Sequence, residues 1–60
     1  MAMFQVFEDK KGEWRWRLRA NNNEIIATSG EGYVRRSDCL HGLQLVQKLS
    51  QEAPIKEANG

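Results

Sequence analysis

Through the first half of the chain apolar side chains fall at every second position, the period of a strand with one buried face. Trp14, Trp16, Leu18 and Ala20 point one way and Arg15, Arg17 and Arg19 the other. Phe4 and Val6 flank Gln5 in the same alternation. Between these segments Asp9-Lys10-Lys11-Gly12 is polar and carries the glycine that a tight hairpin needs. If the apolar groups share a face, Phe4 stands opposite Leu18 and Val6 opposite Trp16. A slip of one residue would set them against the arginines, so burial selects this register. A second turn falls at Asn21-Asn22-Asn23, where asparagine tolerates positive φ better than other non-glycine residues. Glu24-Ile25-Ile26-Ala27-Thr28 makes a third strand. Two adjacent isoleucines leave open which of them faces the core.

After Ser29-Gly30-Glu31-Gly32 and Tyr33-Val34 the period changes. Leu40, Leu43, Val46 and Leu49 advance by three, with Cys39, Gly42 and Ala53 beside the stripe, which predicts an amphipathic helix from Ser37. Ser37 is the expected N-cap, Asp38 complements the positive end of the helix dipole, and Lys48 lies near the other end. Pro54 is the expected stop, because the residue before a proline is pushed out of the α region. Ile55-Lys56-Glu57 reads as a short final strand, and Ala58-Asn59-Gly60 as a fraying end. The expectation is an α+β domain of order β-β-β-α-β, a single unit over residues 1–60 ordered from about residue 3 to 57, with an antiparallel sheet and one helix.

Composition sharpens this picture at one point. A chain of 60 residues should bury only about 60% of the surface its unfolded form exposes. Small domains commonly add disulfides, a metal or a second subunit. One cysteine excludes an internal disulfide, and one Cys with one His falls short of a structural zinc site. Self-association is the route left open. The longest apolar run, Met1-Ala2-Met3-Phe4, is like Ile25-Ile26-Ala27 far too short to cross a bilayer. No basic segment followed by an apolar stretch opens the chain, so the expected compartment is the reducing cytoplasm, with Cys39 a free thiol. A net charge of +1 argues for neither nucleic acid nor membrane by itself. Its distribution is uneven, since seven of the nine basic residues lie between Lys10 and Arg36.

Three motifs carry a family resemblance: Gly12-Glu13-Trp14-Arg15-Trp16-Arg17-Leu18, Ile26-Ala27-Thr28-Ser29-Gly30-Glu31-Gly32-Tyr33 and Cys39-Leu40-His41-Gly42-Leu43. In this order they resemble the YegP-like family of small bacterial and archaeal domains of unknown function, over Phe4 to about Ile55. Asn22-Asn23 departs from the family's usual Asn-Gly turn, at some cost in turn stability. The family often carries two copies of the unit in one chain, and this chain has one. The resemblance implies a β-β-β-α-β unit paired with a second, here in a homodimer, with one continuous sheet, exchanged C-terminal strands and both helices on one side. It brings no catalytic residues. Ile55, Lys56 and Glu57 are then expected to pair at a partner's sheet edge, and Gly42 to mark close approach of the helix to the sheet or to the partner helix.

Among chemically suggestive features, the ladder of Arg15, Arg17 and Arg19 stands first. Guanidiniums about 7 Å apart on one face could meet successive phosphates, with Arg35 and Arg36, and Lys10 and Lys11, extending the field if their loops lie on that side. The plainer reading is a solvated sheet face with arginines paired to Glu24, Glu8 or Glu13. Trp14, Trp16 and Tyr33 are expected to fill the core rather than line a pocket. Phe7 falls on the arginine face and is placed for a cation–π contact. Cys39 and His41, two apart on a helix, point away from each other and form no nucleophile–base pair, whereas Asp38 and His41 are spaced to meet. Gly30-Glu31-Gly32 lacks the lysine and spacing of a phosphate-binding loop and reads as a turn. No metal or cofactor is called for. The functional expectation is a non-enzymatic homodimeric binding module, with weak sequence-independent binding of nucleic acid or another polyanion through the arginine face as the alternative.

Overall fold

The computed structural model describes residues 1–59; the last residue of the expected fraying end, Gly60, lies outside them. Three strands, β1 (Met3–Glu8), β2 (Trp14–Arg19) and β3 (Ile25–Thr28), precede a single helix, α1 (Arg36–Leu49). The strands form one antiparallel sheet in the order β1-β2-β3. Phe4 stands opposite Leu18 and Val6 opposite Trp16, the register that burial of the apolar face demands.

Both hairpins turn in the same way. Gly12 N–H donates to Asp9 O (3.0 Å) and Asp9 N–H to Glu13 O (2.8 Å); Asn23 N–H donates to Ala20 O (2.9 Å) and Ala20 N–H to Glu24 O (2.8 Å). The fourth residue of each turn is left-handed, Gly12 at φ 81° and Asn23 at φ 72°. This is why glycine and asparagine occupy those positions.

The β2–β3 pairing is irregular. Leu18 faces Ala27 and Arg19 faces Ile25, so Ile26 is an extra residue on β3, a bulge. Neither isoleucine enters the core. Ile25 lies on the arginine face opposite Arg19, and both isoleucines are about half exposed. Beyond Thr28 the chain stays with β2 at two more points. Ser29 N–H donates to Trp16 O (2.9 Å), and its buried hydroxyl accepts from Trp16 N–H (3.3 Å) in place of a backbone carbonyl. Gly30-Glu31-Gly32 then loops out, and Tyr33 rejoins β2 by exchanging backbone bonds with Trp14 (2.7 and 2.8 Å).

The core is Trp16, Cys39 and Leu43, with Phe4, Val6, Trp14, Tyr33 and Leu40 packed around it. The Phe4 and Trp16 rings meet edge to face at 5.8 Å. Only the first half of the helical stripe reaches this cluster. Leu45, Val46 and Leu49 remain exposed.

Two expectations for the helix are corrected. The helix starts at Arg36 with Arg35 as N-cap and no side-chain cap bond, so Ser37 is not the cap. Tyr33 is pinned to β2, and the helix begins almost as soon as the chain leaves that contact. Regular helix ends at Leu49 rather than at Pro54; Glu52 and Ala53 N–H still bond Leu49 O (3.2 and 3.1 Å), and Pro54, with no N–H, follows this last turn. Ile55-Lys56-Glu57 lies outside the three strands of the single chain, and Ile55 is fully exposed.

Candidate functional site: the arginine face of the sheet

Strand alternation sets Arg15, Arg17 and Arg19 on the side of the sheet away from the helix, opposite Phe7, Gln5 and Met3 of β1. Their surroundings differ. Arg15 donates from Nε to Asp9 Oδ2 at 2.7 Å, the sole ion pair among the described residues. Asp9 also accepts, through Oδ1, from the backbone N–H groups of Lys11 and Glu13 at 2.9 Å each. The Arg15 hydrogen bond first, and then those amides, hold the Asp9 carboxyl below the ordinary carboxylate range. Glu24, Glu8 and Glu13 pair with none of the three arginines.

Arg17 and Arg19 have no carboxylate partner among the described residues. Both donate from Nε to one atom, Gln5 Oε1, at 2.9 and 2.7 Å. Arg19 Nη1 reaches the Asn23 carbonyl at 2.8 Å, and the Arg17 guanidinium lies 4.5 Å over the Phe7 ring, the cation–π contact expected for Phe7. Two like charges are therefore gathered by neutral groups.

The remaining basic residues do not join them in one patch. Arg36 lies 5.9 Å over the Trp14 ring, and Trp14 belongs to the helix side of the sheet. Arg35 is exposed at the helix N-cap, and Lys10 and Lys11 are exposed in the first turn. Gly42 is explained inside the chain, since a Cβ there would stand 2.7 Å from the Tyr33 hydroxyl oxygen. Gly32 is similarly confined by the Glu13 side chain, whose Cβ would lie 2.9 Å away.

Cys39 is completely buried, and burial pushes its thiol above the usual range. His41 is exposed, so the two do not meet, and Asp38 and His41 form no ion pair. Burial likewise raises the Tyr33 hydroxyl, with the Glu31 charge adding to it. The described residues hold no pocket and no group of three His, Cys, Asp or Glu placed to share a metal. Among the described residues no helix is long and apolar enough to cross a membrane.

Sequence reasoning missed Asp9 and Gln5, the two residues that organise the face. A signal for Asp9 was present: an Asp opening a turn commonly accepts from amides further along it. Gln5 was visible only as the polar residue alternating with Phe4 and Val6.

The fold and surface define a small α+β domain of three strands and one helix, with a basic sheet face. A solution structure of a protein from Haloferax volcanii shares this fold with a TM-score of 0.88 at 38% identity, covering 95% of each chain. Another, of a protein from Agrobacterium tumefaciens, aligns with a TM-score of 0.77 at 28% identity, over 95% of this chain and 90% of that one. Residues 9–57 match the model described as a domain of unknown function, DUF1508. A UPF0339 protein of Neisseria meningitidis serogroup B is 46% identical over 90% of this chain and 95% of its own. The chain belongs to this DUF1508 or UPF0339 family, which is the YegP-like family that its three motifs resemble, and the family's biochemical role is unknown.

Proposed function

We propose that the chain is a non-enzymatic interaction module that works in the cytoplasm as a homodimer, each copy lending its C-terminal segment to the sheet edge of the other. The observation that carries this reading is an excess of exposed surface. A compact folded chain of 6.9 kDa should expose about 4,000 Å². This one exposes 5214 Å². The difference exceeds the ~800 Å² that each partner contributes to a standard interface. Its apolar part includes Val46 and Leu49 at the end of the helical stripe, Ile25 and Ile26 on edge strand β3, and the fully exposed Ile55. An unpaired strand edge with apolar side chains is a template for another strand.

Coupled folding and association makes the midpoint of thermal unfolding rise with chain concentration. We expect that dependence across a hundredfold concentration range, and its loss in Ile55→Asp. A midpoint independent of concentration would overturn the strand-exchange reading.

A second reading is favoured by the uncompensated charge of Arg17 and Arg19: the sheet face binds anions. Titration of salt against binding of a labelled oligonucleotide tests it, with affinity expected to fall steeply as salt rises. No binding at low ionic strength would remove it.

A further inference from the structure

Arg17 and Arg19 are not spread along the strand as a ladder. Both Nε atoms contact Gln5 Oε1, so they lie within about 6 Å of each other, closer than the ~7 Å spacing of alternate strand residues. The amide oxygen has two lone pairs and both are used, which holds the two groups without neutralising either. Each guanidinium has a second anchor, the Phe7 ring for Arg17 and the Asn23 carbonyl for Arg19. Both Nη groups of Arg17 and Nη2 of Arg19 make no hydrogen bond among the described residues. Asp9, which pairs with the third arginine of this face, is held by Arg15 and two turn amides.

Two positive charges held close by neutral partners, with their outer N–H groups unused, match a compact oxyanion carrying two negative charges. A planar carboxylate can be met by one guanidinium alone. Tetrahedral phosphate offers oxygens in several directions to a pair. We infer that Arg17 and Arg19, gathered on Gln5, form a binding site for a phosphate dianion, either inorganic phosphate or a terminal phosphomonoester. This rests on the second reading, that the sheet face is an anion surface, and narrows it from a polymer backbone to a single terminal group. Arg15 lies outside the site.

The test is a titration of the full chain, labelled with 15N, following the Nε–H resonances of Arg17 and Arg19 at pH 7.5. Its arms are inorganic phosphate, a short oligonucleotide with a 5′-phosphate, the same oligonucleotide without it, and sodium chloride at matched ionic strength. Saturable shifts of both resonances are expected with phosphate, with severalfold tighter binding of the phosphorylated oligonucleotide than of its unphosphorylated counterpart. Phosphate binding should weaken severalfold at pH 5.5, where the monoanion predominates. Arg17→Gln and Arg19→Gln should each lose at least tenfold in phosphate affinity with backbone resonances of the core unchanged, and Arg15→Gln less than twofold. Shifts no larger than those with chloride, or an equal loss in Arg15→Gln, would overturn the site. If the unphosphorylated oligonucleotide binds and phosphate does not, the site is overturned while the anion-surface reading stands; if neither binds, both fall.

Discussion

The Asp9 carboxylate accepts from two turn amides and one guanidinium, and its lowered pKa ties the first hairpin to pH. A carboxyl whose folded value lies below its unfolded value of about 3.9 contributes stability that is fully present above that value. The contribution is lost as pH falls through the folded value. Asp9→Asn should therefore be less stable than the parent at pH 7, by a margin that shrinks as pH falls below about 3.9. Urea unfolding followed by tryptophan fluorescence, at one fixed chain concentration, reads the trend; a deficit that does not shrink with falling pH would assign the effect to shape instead of charge. Ser29 makes a second residue-scale case. Its hydroxyl is the acceptor for the buried Trp16 N–H, so Ser29→Ala leaves that donor unpaired and should cost about 1–3 kcal/mol in the same unfolding assay. A loss below a few tenths would mean that water or the backbone replaces the hydroxyl.

Among the elements, the two hairpins differ at one informative position. Asn23 holds the left-handed conformation that Gly12 holds in the first turn. Asn23→Gly should stabilise the chain by about 0.5–1 kcal/mol, while Gly12→Ala should destabilise it by about 1 kcal/mol. Thermal unfolding of the two variants checks the signs, and a destabilising Asn23→Gly would contradict the turn geometry. The strands and the β1–β2 register were legible from alternation alone, because a slip would bury arginines beside Trp16. Helix α1 was legible from its period, but its ends were not. Its start follows from the Tyr33–Trp14 pairing, a tertiary contact with no local sequence signal. The positions of Ile25 and Ile26 were undecidable for a similar reason, since the bulge at Ile26 depends on how β3 meets β2. On the arginine face, the presence of Arg15, Arg17 and Arg19 was legible, and their division into one paired and two unpaired groups was not. That division is made by Asp9 and Gln5, which approach from the turn and the neighbouring strand.

For the whole molecule, the shortage inferred from length and a single cysteine takes a definite form. The helix covers β2 with its first half only, and its last apolar residues, the isoleucines of β3 and the tail after Pro54 remain open. The Cα radius of gyration of 12.8 Å, against about 10 Å for a compact chain of this length, reflects the same openness. A second copy would cover these surfaces with the same residues it needs covered, as a two-fold interface does. Light scattering coupled to size exclusion at micromolar concentration tests this claim most directly. The account predicts twice the 6.9 kDa chain mass, and a well-folded species at the single-chain mass would contradict it.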